Sequence, residues 1–139
     1  MASEQHNFIV SAIARKIKQA GFSIIYLEGK YQDVEISRFD IPPKITRHRP
    51  DVVGEKDNKT FCVGEAKTRN DLHSDRTRNQ ITDFWTLVKL NPNNKLIIGI
   101  PLSAELDLQR LFLKLGLSDQ EQIDVICIPD KLLPNEEDI

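Results

Sequence analysis

Residues 50–67 read PDVVGEKDNKTFCVGEAK, and the alternation within this stretch decides the fold. Two short runs, Asp51 to Lys56 and Thr60 to Lys67, flank the polar triplet Asp57-Asn58-Lys59. Each run has strand length and the triplet suits a tight turn, so the pattern predicts a β-hairpin. Successive side chains of a strand point to opposite faces. Phe61, Val63, Glu65 and Lys67 therefore share one face, while Cys62, Gly64 and Ala66 share the other. The antiparallel return sets Asp51, at the start of the first run, beside Glu65 and Lys67 at the end of the second.

Upstream of the hairpin, Ile9, Ile13 and Ile17, with Phe8, Ala12 and Ala20, recur at helical spacing. This predicts a first helix over Ser3 to Ala20, with Ser3 as N-cap, Glu4 in the first turn and Gly21 beyond the C-terminus. Phe22 to Leu27 reads as a strand. Gly29 to Thr46 reads as a short strand around Val34-Glu35-Ile36 followed by a loop at Pro42 and Pro43. Downstream, Ile81, Phe84, Trp85 and Val88 mark a helix over Asp71 to Leu90, and Pro92 stops it. Lys95 to Ile100 has the length of a buried strand. Ser103 is placed to cap a helix carrying Leu108, Leu111, Phe112 and Leu115, ended by Gly116, and Ile123 to Ile128 forms the last strand. The order αβ(β)ββαβαβ predicts one mixed-sheet α/β domain over residues 1–139, helices on both faces, with residues 130–139 a frayed tail.

Bulk properties set limits. A chain of 139 residues fits one domain with a modest core. No apolar run has the length to span a bilayer, and MASEQHNFIV lacks the features of a signal peptide, so a cytoplasmic protein is expected. Cys62 and Cys127 sit singly in apolar runs, and His6, His48 and His73 are scattered, so a structural zinc site is not expected. Both cysteines read as reduced, buried apolar residues. The net charge of −2 argues against coating nucleic acid by global charge. Lys44, Arg47, His48 and Arg49 nevertheless crowd before Asp51, and Lys67, Arg69, Arg76 and Arg78 follow. A local basic strip of this kind can contact phosphates on a mildly acidic molecule, although most such runs are simply solvated faces.

The hairpin places two carboxylates together near a core, where they repel unless something positive joins them. A divalent cation supplies that charge, and two acids, the Ala66 carbonyl and several waters suit Mg²⁺. A cation so held polarises a phosphodiester and acidifies a water. Lys67 is placed to orient that water or to neutralise charge in the transition state.

Pro50-Asp51 followed across a hairpin by Glu65-Ala66-Lys67 resembles the signature of the PD-(D/E)XK nuclease superfamily, which includes type II restriction enzymes and archaeal Holliday junction resolvases. The resemblance covers roughly residues 1–100 in element order, and its specific motif is three side chains. It implies a restriction endonuclease-like αβββαβ core, a mixed sheet flanked by helices. It also implies an endonuclease acting on DNA with Mg²⁺ (Mn²⁺ substituting), in which Asp51 and Glu65 bind the metal and Lys67 serves catalysis. Three decoys fail on geometry. Glu28-Gly29-Lys30 has no preceding Pro-Asp, Asp57-Asn58-Lys59 belongs to the turn, and Pro129-Asp130 has no following Glu-x-Lys.

Members of the superfamily often add an acid from the first helix. Glu4 is the candidate here, with complementing the helix dipole as its ordinary role; Asp33 and Glu35 compete. Gln80 with Phe84 partly matches the Gln-x-x-x-Tyr motif of RecB-like branches, whose glutamine lines the active site; an exposed helical glutamine is its plain alternative. Arg47, Arg49, Arg69, Arg76 and Arg78 are candidates for gripping backbone phosphates, and Trp85 reads as core. The other class of reading is a catalytically inactive module that uses this fold to bind nucleic acid or a partner protein. An RNA-directed nuclease carries the same triad. Cutting both strands of a duplex would be easiest for a symmetric homodimer.

Overall fold

The computed structural model describes residues 3–27, 47–57 and 59–134. The expected strand around Val34, the acids Asp33 and Glu35, Lys44, Asn58 of the turn and residues 135–139 lie outside them.

Helix α1 (Glu4–Gln19) leads into β1 (Ser23–Leu27), and the hairpin follows as β2 (Val52–Lys56) and β3 (Thr60–Ala66). Helix α2 (Asp75–Val88), β4 (Lys95–Pro101), α3 (Glu105–Leu115) and β5 (Ile123–Ile128) complete the order. The five strands form one sheet in the order β1-β2-β3-β4-β5. β1, β2 and β3 pair antiparallel, whereas β3, β4 and β5 pair parallel. The fold is thus α/β with a mixed open sheet.

Both crossovers advance in the same direction along the sheet, so connections of one hand put α2 and α3 on one face. Val63, Leu96, Ile98 and Ile100 pack there against Ile81, Phe84, Leu108 and Leu111. α1 covers the other face, where Ile9, Ile13 and Ile17 meet Val52, Cys62, Ala66 and Ile97. β4 is buried on both sides, which is why KLIIGI reads as a continuous apolar run instead of an alternating one.

The caps follow local chemistry. The Ser3 side chain accepts the His6 amide at 3.0 Å, and Gly21 ends α1 at φ 95°. α2 starts four residues later than the periodicity suggests. Asp71 turns back to accept the Thr68 amide and hydroxyl at 3.0 and 2.8 Å, which folds Asn70–His73 into a 3-10 turn, and Ser74 then caps a fresh helix. Ser103 is not the cap of α3. Its amide and hydroxyl both engage Asp130, and Ala104 occupies the N-cap position. That contact, with Gln5 Nε2 donating to the Pro134 carbonyl at 3.0 Å, ties down residues 130–134, which were expected to fray. Cys62 is buried with a thiol pushed up to about 12 by desolvation, whereas Cys127 is only half-buried.

Three glycines set how closely α1 lies on the sheet. A Cβ on Gly54, Gly64 or Gly99 would sit 2.6, 2.5 or 2.6 Å from the Cγ2 of Ile17, Ile13 or Ile9 respectively. Gly54 is opposite Cys62 and Gly99 is opposite Ala66, so the glycines run diagonally across β2, β3 and β4 under one stripe of the helix. Gly64→Ala is expected to lower stability by about 1–3 kcal/mol through overpacking, read as a shift of the urea midpoint. Shrinking the opposing side chain in Gly64→Ala/Ile13→Val should restore part of the loss. An unchanged midpoint in the single variant would contradict the close approach.

Candidate active site

The register of the hairpin builds the site. Val52 is opposite Gly64, so Asp51 comes to lie beside Glu65, with its amide donating to the Gly64 carbonyl at 3.1 Å. Asp51 Oδ2 in turn accepts the Ala66 amide at 2.9 Å, which fixes the carboxylate against the end of β3. Beyond Ala66 the chain stays tied to β4, since the Lys67 amide donates to the Gly99 carbonyl at 2.9 Å. Glu65 and Lys67 share a face as strand parity requires, and Lys67 Nζ lies 3.6 Å from Glu65 Oε2. Lys67 Nζ also donates to Gln80 Oε1 of α2. Exposure is low throughout: 6% for Asp51, 2% for Glu65, 8% for Lys67 and 5% for Gln80.

The structure adds a residue absent from the expected set. His6, in the first turn of α1, places Nε2 3.2 Å from Asp51 Oδ2. Its Nδ1 is buried without a hydrogen-bond partner. Glu4, the acid considered from the same helix, is exposed and does not line the cleft. His6 was legible in principle, because it lies three residues before Ile9 and so continues the stripe that faces the sheet.

Two buried carboxyls side by side cannot both ionise without cost. For Glu65, burial and then the neighbouring Asp51 charge raise the pKa well above the usual glutamate value. Asp51 goes the other way: burial pushes it up, but hydrogen bonds with Glu65, His6 and the Ala66 amide outweigh that and hold it low. Within the pair, burial beside Asp51 thus favours the protonated form of Glu65 and the ionised form of Asp51. The hydrogen bond to Asp51 raises His6 against the opposing effect of burial.

These groups open onto a cleft of about 270 Å³. His6, Asp51, Glu65, Ala66, Lys67 and Gln80 line it together with Asp71, Ser74 and Thr77. Of the five arginines considered for phosphate contact, Arg49 and Arg76 line the cleft. Arg47 turns to Asp83 (3.5 Å), Arg69 to Asp107 (3.7 Å) and Arg78 to Asp75. His48 Nδ1 also meets Asp83 Oδ2 at 2.9 Å, pinning the segment before Asp51 onto α2. Burial raises the Asp83 carboxyl, but the hydrogen bonds from His48 and Arg47 prevail and lower it. Among the described residues no three His, Cys, Asp or Glu side chains form a ready cage for a metal. No helix among them is long and apolar enough to cross a membrane. No protein-family model matches the chain, and no curated protein or solved structure matches it.

A raised carboxyl binds in the fold a proton that the unfolded chain has already released. Stability should therefore fall as pH climbs from 4.5, the ordinary glutamate value, towards the raised folded value. Glu65→Gln keeps the neutral form at every pH. In EDTA at pH 8 it should melt above the parent chain, by about 2–4 °C for each kcal/mol relieved, and the difference should vanish below pH ~4. Equal melting temperatures at pH 8 would mean that Glu65 is not held neutral.

Proposed function

We propose that the chain is a Mg²⁺-dependent endonuclease of the PD-(D/E)XK type that hydrolyses phosphodiester bonds in DNA. One observation carries the reading: Asp51, Glu65 and Lys67 converge, buried, at the mouth of a cleft, with Lys67 held by Gln80. An ordinary surface Glu-Lys pair would be solvated; this one has been taken out of water beside a second acid. Burial of that kind is expensive for a merely structural feature and common where charge is put to chemical use. In support of the restriction endonuclease-like core, α1, β1 to β3, α2 and β4 follow one another in the order αβββαβ, with α3 and β5 added after it.

The donor set suits the cation. Asp51 and Glu65, with the Ala66 carbonyl, would provide a few hard oxygen ligands and leave the remaining positions to water, as Mg²⁺ prefers. The raised Glu65 carboxyl marks a place where a cation between the two acids would be favourable, and His6 Nδ1 lies nearby without a hydrogen-bond partner. Bound Mg²⁺ would polarise the scissile phosphate and acidify a water. The chain's own groups do the rest. Lys67, an ammonium donor held at the cleft, steadies the added negative charge of the phosphate in the transition state. Gln80 holds that ammonium in place, and His6 and the Ala66 amide keep the Asp51 carboxylate from rotating. Arg49 and Arg76 stand at the cleft to receive the phosphodiester backbone.

Purified protein incubated with duplex DNA and Mg²⁺ or Mn²⁺ should nick or cut it, with RNA as a parallel arm. Glu65→Ala and Lys67→Ala should each lose on the order of 10²–10³ in rate. Cleavage that survives both changes, or none under any of these conditions, would defeat the proposal. Titration calorimetry gives an independent check. Mg²⁺ binding should release protons, seen as a heat that varies with the buffer, because Glu65 must ionise to bind. Glu65→Gln should abolish both the binding and the release, and a chain with no Mg²⁺ or Mn²⁺ affinity would instead fit an inactive binding module.

A further inference from the structure

Beside the cleft lies a second depression of about 190 Å³, bounded by the Asn70–His73 turn, the start of α2 and one face of α3. Leu72 and Leu111 are its buried apolar floor. Arg78, Arg110 and Lys114 stand around it with His73 and a single acid, Asp107. Arg110 and Lys114 are four residues apart on α3, so their side chains project from the same face. Asp107 does not outweigh this charge: its Oδ2 is 3.7 Å from Arg69 Nε, which adds a further cation beside Arg78, Arg110 and Lys114. The partner of Arg78, Asp75, has a side chain 81% exposed. A pair so open to water contributes little, and a phosphate can recruit the guanidinium at small cost.

The two depressions are the two sides of one wall. Asp71, Ser74 and Thr77 face the cleft, whereas Leu72, His73 and Arg78 face the second pocket. A wall one helix thick is about 10 Å across, the rise of about three nucleotides along one strand of a duplex. From this placement we infer that the second pocket is a phosphate subsite, which takes a backbone phosphate of the nucleic acid whose scissile phosphate sits in the cleft. The inference rests on the nuclease reading for the identity of its ligand, but not on catalysis. An arginine fork and an ammonium over an apolar floor match a phosphodiester, whose charge faces the rim.

The test is fluorescence anisotropy with a labelled duplex of about 30 base pairs, in the inert Glu65→Ala chain, across a salt series. Adding Arg110→Ala and Lys114→Ala should weaken binding roughly tenfold. It should also reduce the salt slope by about one, because one phosphate contact has gone. Both changes lie on an exposed helix face, and an unaltered melting temperature will show that the fold is intact. An unchanged affinity and slope would overturn the subsite and leave the nuclease reading standing. Normal binding that responds to Arg110 and Lys114, from a parent chain that cuts nothing, would keep the subsite and overturn the nuclease reading. A chain that binds no duplex at any salt overturns both.

Discussion

The position of α1 on the sheet governs the rest of the molecule. Helices and sheets pack at a distance set by the side chains between them, and here glycines remove those side chains from the sheet side. Ile17 rests on Gly54, Ile13 on Gly64 and Ile9 on Gly99. The diagonal advances towards the C-terminal end of β3 as the helix is followed back to its N-terminus. One turn before Ile9, at the end of the sheet that the helix has reached, His6 meets Asp51, and the positive end of the helix dipole comes with it. Close packing of the core and assembly of the site are therefore one geometric fact. Loosening the helix would move an imidazole away from a buried carboxylate.

That carboxylate shows how the fold tolerates an unfavourable site. Asp51 has its repulsion from Glu65 answered by the raised pKa of that neighbour, by His6 and by the Ala66 amide. Lys67 has the Glu65 carboxyl at 3.6 Å and an amide oxygen from Gln80. Each charge is met by a group on a different element: α1, β3 or α2. Donors held in this way need no reorganisation when charge develops, which is the condition for strong electrostatic catalysis. The cost is stability, because the pair remains desolvated.

Much of this was readable from residues alone. Period-two alternation placed Glu65 and Lys67 on one face, and the hairpin return placed Asp51 beside them, because antiparallel register is a local consequence of turn length. The helices and most strands followed from apolar periodicity. The failures are side chains with two possible uses. Asp71 and Ser103 both suit the start of a helix, yet Asp71 caps the Thr68 turn and Ser103 binds Asp130, twenty-seven residues away. Helix periodicity is blind to that choice, since both outcomes keep the same apolar face. The His48 and Asp83 contact spans thirty-five residues and leaves no local mark. Glu4 and His6 differ only in angle around α1, and the isoleucine stripe, not the charge of the residue, decides which faces the sheet.

Charge also reads differently in space than along the chain. The basic residues crowded around the motif suggest one strip, but the fold distributes them over two depressions and pairs several with acids. Arg47 meets Asp83, Arg69 meets Asp107 and Arg78 meets Asp75. The arginine side chains in these pairs remain 62%, 65% and 43% exposed. Guanidinium groups so open to solvent form weak pairs that salt screens, most of all with Asp75, which is itself exposed. They orient the guanidinium groups without using up their attraction for a stronger anion. A chain with a net charge of −2 can in this way keep locally basic surface. The acids on that side hold the arginines in place: Asp83 and Asp107 are themselves largely buried, with side chains 10% and 17% exposed, whereas Asp75 stands in solvent.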